Sequence, residues 1–218
     1  MFSPLLLSYG GALLALVLFE RLADEIGEGD TIRFDQAVRG FVHGFASPGV
    51  TRVMTALTEI GNIGTVVIAT LLGCLLLWIY GRRKGAVLLS VTVAGATVLM
   101  FLLKLLFHRQ RPSPYFGIAT PRDFSFPSGH ALVAFCFWGV LAVIVSTEQR
   151  KLASRIAMWI LAVAMVLGIG LSRIYLGVHY PSDVLGGYLA AVVWVTGVGM
   201  VYRRFRAKEQ PVGKDDRR

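Results

Sequence analysis

Ser172-Arg-Ile-Tyr-Leu-Gly-Val-His179-Tyr-Pro-Ser-Asp183 places an arginine, a histidine and a carboxylate within twelve residues. The apolar runs Ile156–Leu171 and Val184–Tyr202 lie on either side of it. Ionisable groups beside membrane-length segments are costly, and their presence there usually serves a function. A solvated turn between two helices would also carry such residues. The stretch by itself leaves both readings open.

Composition decides the class of protein. The 218-residue chain is 55% hydrophobic and 16% charged, with a mean hydropathy of +0.64. Soluble domains are about 45–50% apolar and about 25% charged. The chain therefore reads as an all-α, polytopic membrane protein forming one domain over residues 1–218. Six apolar runs can be marked: Pro4–Phe19, Gly61–Tyr80, Ala86–Phe107, Ala131–Val145, Ile156–Leu171 and Val184–Tyr202. A spanning helix needs about 20 residues. The second, third and sixth runs reach that length, and the others need flanking polar residues to complete a span. Six transmembrane helices are expected, the first of them uncleaved because no basic segment precedes it and no clear small-residue cleavage site follows. Cys74 and Cys136 lie inside apolar runs and read as small buried hydrophobes.

After the first run comes an acidic patch, Glu20 to Asp30. Phe34, Val38, Phe41, Val42 and Phe45 then recur at helical spacing, with Arg33, Asp35, Gln36 and Arg39 between them. This predicts an amphipathic interfacial helix ending at Ser47-Pro48, lying on the membrane or packed as a lid on the other helices. Neither reading gives it any chemistry.

Orientation follows from the basic residues. With six spans, the loops around 81–85 and 146–155 and the tail from 203 share one side. That side holds thirteen of the 22 Lys and Arg against four acids, Glu148, Glu209, Asp215 and Asp216. The other side holds nine against nine. The positive-inside rule puts both termini, including the tail 203–218, in the cytoplasm. The formal charge of +9 thus reflects membrane topology, and no nucleic-acid partner is expected. Lys104–Pro127 and Ser172–Asp183 then emerge together on the outer face.

Three polar clusters meet there. Lys104 and Arg111 are seven residues apart, about two helical turns, so both cations share a helix face. Pro112 predicts that the helix ends near it. Pro127-Ser128-Gly129-His130 precedes the fourth run. Ser128 and Gly129 offer donors at a helix N-terminus, a natural anion site, and His130 can supply a proton. In the opening stretch, Pro181 suits the first turn of a helix and Asp183 falls within that turn. Asp183 can accept Nδ1–H of His179 and leave Nε2 as a nucleophile. Arg173 adds a third cation. Such an anion trap with two histidines suits phosphoryl transfer. No acidic cluster is available for magnesium or calcium. The three cations would repel zinc from the histidines, so neither a metal nor any other cofactor is expected.

Lys-x6-Arg-Pro, Pro-Ser-Gly-His and Ser-Arg-x5-His-x3-Asp, in this order and spacing, resemble the signature of the type 2 phosphatidic acid phosphatase superfamily. The resemblance covers Lys104–Asp183 and the six-span layout. It implies that His179 attacks phosphorus to form a phosphohistidine, that Asp183 orients it, and that His130 protonates the leaving oxygen and later helps water attack. Lys104, Arg111, Ser128, Gly129 and Arg173 would hold the phosphate oxygens, without a metal. The compact form is similar to bacterial enzymes acting on phosphatidylglycerophosphate, phosphatidic acid or undecaprenyl pyrophosphate. A multi-pass protein of the inner (cytoplasmic) membrane is implied, with its site facing the periplasm or exterior and a membrane lipid phosphate as partner. The sequence does not choose the lipid, a monophosphate over a diphosphate, or an oligomeric state. A lipid phosphotransferase and a non-catalytic lipid-phosphate transporter are the alternatives; the second has no use for the His179–Asp183 spacing. His108, Arg109, Arg122, Asp123, Tyr175 and Tyr180 are near enough to tune a head-group pocket.

Overall fold

The computed structural model describes residues 4–117 and 123–208. Among these there are eight helices and no strand. They are α1 (Pro4–Glu28), α2 (Ile32–His43), α3 (Pro48–Ile60), α4 (Ile63–Ile79), α5 (Arg83–Phe107), α6 (Gly129–Ser146), α7 (Leu152–Tyr175) and α8 (Pro181–Lys208).

Four of them, α5, α6, α7 and α8, are long and apolar enough to cross a membrane. The run Gly61–Tyr80, expected to cross alone, is the 17-residue α4, which joins α3 at a 53° bend to make a fifth candidate. Local capping produces the bend. The side chain of Asn62 accepts from the Gly64 N–H at 2.9 Å and starts α4, while Gly61 caps α3. The first run lies in α1, which carries the acidic patch on to Glu28 as continuous helix instead of ending before it. The expected six spans thus stand at four, or five with the bent pair.

Two further boundaries differ from expectation. α2 stops at His43, and Ser47-Pro48 opens α3: Ser47 Oγ accepts from Val50 N–H at 3.3 Å, with Pro48 at the first helical position. α5 ends at Phe107, four residues before Arg111, because His108 adopts the left-handed conformation at φ 48°. Lys104 and Arg111 therefore do not share a helix face.

The core lies between α4, α5, α6 and α8. Leu89, Val93, Ala96 and Met100 of α5 meet Leu132, Val133, Cys136 and Val140 of α6 and Ala190 and Ala191 of α8. Outward residues stay apolar: Leu71 and Leu75 on α4, Phe101 and Leu105 on α5, and Ile160 and Leu167 on α7 are all exposed. Helices apolar on both faces are suited to lipid on the outside. At one end, Arg82 and Glu148 form an ion pair and Arg83 lies 4.7 Å over the Trp78 ring. At the other, the C-terminal ends of α5 and α7 meet the N-terminal ends of α6 and α8. Ser128 N–H donates to Asp183 O at 2.9 Å, which fixes the starts of α6 and α8 side by side. The two polar loops thus share one end of the bundle.

Close helix approach depends on small residues. A Cβ on Gly95 would stand 2.0 Å from the Trp194 ring, whose Nε1–H donates to Thr92 O at 2.9 Å. Gly139 faces open space. Gly95→Ala should destabilise the fold by about 1–3 kcal/mol through overpacking, and Gly139→Ala should not. Thermal denaturation of the detergent-purified protein measures both; equal stability of the two variants would contradict this packing.

Candidate active site

The polar end of the bundle is built around Asp183, in the first turn of α8 and 0% exposed. A buried carboxylate must find donors to replace water. Asp183 Oδ2 accepts from Tyr180 N–H at 2.8 Å, from the Ser125 hydroxyl, and from His179 Nδ1 at 3.2 Å. Oδ1 accepts from Arg109 Nη1 at 2.6 Å.

The tautomer of His179 follows from both of its neighbours. Asp183 can only accept at Nδ1, and Arg111 Nη1, 3.0 Å from Nε2, can only donate. The proton therefore sits on Nδ1, and the Nε2 lone pair faces Arg111. Burial pulls the imidazole below the ordinary histidine range, with Arg111 and Arg173 adding to the effect and Asp183 opposing it.

The loop bearing His179 is held by glycine geometry. Gly177 has φ 76°, and a Cβ there would stand 2.7 Å from Tyr115 N. Its absence lets Tyr115 N–H donate to Leu176 O at 3.0 Å and Arg111 Nη1 to Val178 O at 2.8 Å.

The three clusters lie at this end of the bundle. Lys104 and Arg111, although not on one helix, meet at Asp123. Lys104 Nζ donates to Oδ2 at 2.6 Å and Arg111 Nη2 to Oδ1 at 2.7 Å. Burial alone would raise the Asp123 carboxyl, but Lys104 and Arg111 outweigh it and hold it below the usual range. Ser128 begins α6 without making the expected side-chain cap: its buried Oγ has no partner among the described residues. Gly129 fits because a Cβ there would meet Met100 Sδ at 2.2 Å. Arg173, at the end of α7, donates to Thr58 Oγ1 and leaves its buried Nε unpartnered. His130, in the first turn of α6, lies within electrostatic reach of Arg173, His179, Arg111 and Lys104. Buried donors without protein partners, beside clustered cations, can donate to the oxygens of an anion.

Of the other residues near the signature, Arg109 and Asp123 join the site directly. His108 faces Phe124, Tyr175 bonds Thr51 Oγ1 at 2.6 Å, and Arg122 lies outside the described residues. Sequence reasoning passed over Ser125, which nothing in a loop serine betrays. It also set Asp35 aside with the polar face of α2, yet Asp35 is 0% exposed. Its phase was the signal: Asp35, Val38 and Val42 recur at i, i+3 and i+7, on the inward face of α2.

Comparisons with known proteins agree with this geometry. The PAP2 superfamily profile matches residues 84–207. Phosphatidylglycerophosphatase B of Bacillus subtilis (strain 168) is 29% identical over 80% of this chain and 87% of its own. An undecaprenyl-diphosphatase of the same organism is 28% identical over 78% and 81%. A crystal structure of a transmembrane PAP2 type phosphatidylglycerolphosphate phosphatase from Bacillus subtilis superposes with a TM-score of 0.79 at 25% identity, covering 92% of this chain and 98% of that one.

Asp123 places a carboxylate across the two cations that an oxyanion would use. Asp123→Asn should therefore bind orthovanadate or inorganic phosphate about twofold to fivefold more tightly, the scale of a half-exposed ion pair. Isothermal titration of the purified protein reads this; unchanged or weaker binding would show that the carboxylate does not compete with the anion.

Proposed function

Because the chain belongs to the PAP2 superfamily, and is a membrane-embedded phosphatase, we propose that it removes a terminal phosphate from a membrane lipid through a phosphohistidine on His179. The observation that carries this reading is His179 itself: Nδ1–H is held by Asp183 and the Nε2 lone pair faces Arg111.

In the first step Nε2 attacks phosphorus and the P–O bond to the lipid breaks. His130 gives its proton to the leaving oxygen. The anionic substrate favours the protonated ring. Asp183 stabilises the charge that develops on His179. Water then attacks the phosphohistidine, His130 takes a proton from that water, the P–N bond breaks and phosphate leaves. Lys104, Arg111, Ser128, Gly129 and Arg173 stabilise the equatorial oxygens throughout. No step requires a metal.

The names of the relatives suggest the substrate class: phosphatidylglycerophosphate, a glycerophospholipid monophosphate, or undecaprenyl diphosphate, a polyprenyl diphosphate. A substrate panel containing both, assayed in EDTA, chooses between them. α1, with its apolar first half, is assigned as the sixth span, and the charge distribution supports a site on the periplasmic or outer face of the cytoplasmic membrane with both termini in the cytoplasm.

His179→Ala should lower phosphate release by at least about a thousandfold while leaving the protein folded. Near wild-type turnover in this variant would remove His179 as the nucleophile. Wild-type protein should be inhibited by vanadate and unaffected by EDTA.

The acid limb of kcat/KM reports His179 in the free enzyme. Burial lowers its pKa, so the nucleophile stays unprotonated well into acid. The limb should fall below the ordinary histidine value of about 6.5. An acid limb above that value would contradict the buried setting. For orientation, a cysteine placed at Ser113 should react with an impermeant maleimide added to intact cells; labelling only after lysis would invert the topology.

A further inference from the structure

Behind the proposed nucleophile lies a second ionic layer that the signature does not include. Arg109 sits between two carboxylates. Its Nη1 donates to Asp183 Oδ1 at 2.6 Å and to Ser182 Oγ at 2.7 Å, and its Nη2 donates to Asp35 Oδ2 at 2.8 Å. Asp35, from α2, also accepts from Ser182 N–H at 2.9 Å and from Ser182 Oγ at 2.6 Å. Both carboxylates have no exposed side-chain surface, and Arg109 has 12%. The Tyr180 ring lies 4.3 Å from the Arg109 guanidinium.

We propose that Arg109 and Asp35 are positioning residues for His179, a relay in which Arg109 fixes the Asp183 carboxylate and Asp35 balances the charge of Arg109. The inference rests on the proposed role of His179. Its reasoning is geometric. Each nitrogen of the Arg109 fork meets a different carboxylate, which lysine cannot reproduce. Asp183 is thereby held in the plane that presents Oδ2 to His179 Nδ1, so the direction of Nε2 is set from α2. Asp35 takes up half of the guanidinium. Without it, the full charge of Arg109 would fall on Asp183 and weaken its hold on the imidazole proton.

The two ends of the relay act on His179 with opposite signs. The charged and titratable groups around the pair are Lys104 from α5, Arg109, Arg111 and Asp123 from the connecting loop, His130 from α6, Arg173 from α7, and Asp35 from α2. Within that fixed set, Arg109→Gln removes a cation and favours protonated His179. Asp35→Asn removes an anion and disfavours it.

The test compares Arg109→Gln, Arg109→Lys and Asp35→Asn in the full-length, detergent-purified protein. Arg109→Gln and Asp35→Asn should each lower kcat by about tenfold to a hundredfold, the scale that losing the outer partner of a metal-ligating side chain has elsewhere, with KM within about threefold. The acid limb of kcat/KM should move to higher pH in Arg109→Gln and to lower pH in Asp35→Asn. Arg109→Lys keeps the charge but not the fork, so its limb should stay near wild type while kcat falls. Because Asp35 also ties α2 to α8, each variant is melted to confirm that it is folded. Titration of the His179 imidazole by ¹⁵N NMR, with its signal assigned by loss in His179→Ala, reads the same two shifts without turnover. Failure of the functional reading would therefore appear as absent phosphate release with the titration shifts intact. Limbs and titrations that stay in place, or shift the same way in both variants, would overturn the relay. So would a rise in KM with kcat unchanged, which would make Arg109 a substrate-binding group.

Discussion

Asp183 is a carboxylate sealed from water at the head of a helix that runs through apolar surroundings. Desolvating a charge costs several kcal/mol unless donors replace the lost water. Much of the site's architecture can be read as the supply of those donors. Tyr180 N–H comes from the turn that begins α8, the Ser125 hydroxyl from the loop before α6, and the Arg109 guanidinium from the coil after α5. His179 completes the set from the loop after α7. The α5–α6 and α7–α8 connections therefore meet at one carboxylate. A buried charge left short of partners is strongly destabilising, so this convergence specifies how the helix ends pack.

The same principle separates buried groups that are saturated with partners from those that are not. Asp35 and Asp183 are saturated with donors and closed to solvent. Ser128 Oγ and Arg173 Nε, equally buried, have no partner among the described residues. A protein interior rarely tolerates such orphans without a reason. Arg173 lies within electrostatic reach of Arg111 and His179, and Ser128 opens the helix that carries His130.

Much of this site was legible because its chemistry is local in sequence. His179 and Asp183 are one helical turn apart, Ser128, Gly129 and His130 are contiguous, and Pro181 marks the start of α8 as its fixed φ requires. The helix ends were less legible. α5 stops at a left-handed His108, a conformation that no residue type there demands, so the convergence of Lys104 and Arg111 arises from the following coil and not from helical phase. The second span was obscured because two adjacent caps, Gly61 and Asn62, break it at 53°. Asp35 was hardest to read. A carboxylate in an amphipathic helix is ordinarily solvated, and its partners Arg109 and Ser182 lie 74 and 147 residues away. Only its phase with Val38 and Val42 separates it from the polar face, and one residue in phase is a weak signal.

The three carboxylates nearest His179 differ in a way that bears on turnover. Asp183 and Asp35 have no exposed side-chain surface, so releasing their partners would strand a buried charge. Asp123 contacts two cations, yet 46% of its side chain is exposed. It can leave Lys104 and Arg111 for water at small cost, because a rim ion pair exchanges protein donors for solvent almost evenly. The cations themselves lie deeper, with 5% and 6% of their side chains exposed, and need a counter-charge at all times. A rim carboxylate that exchanges with an incoming phosphate would keep them neutralised both before binding and after product release. The site would then never pass through a state with two bare buried cations, and the energy of phosphate binding would be measured against Asp123 instead of against water.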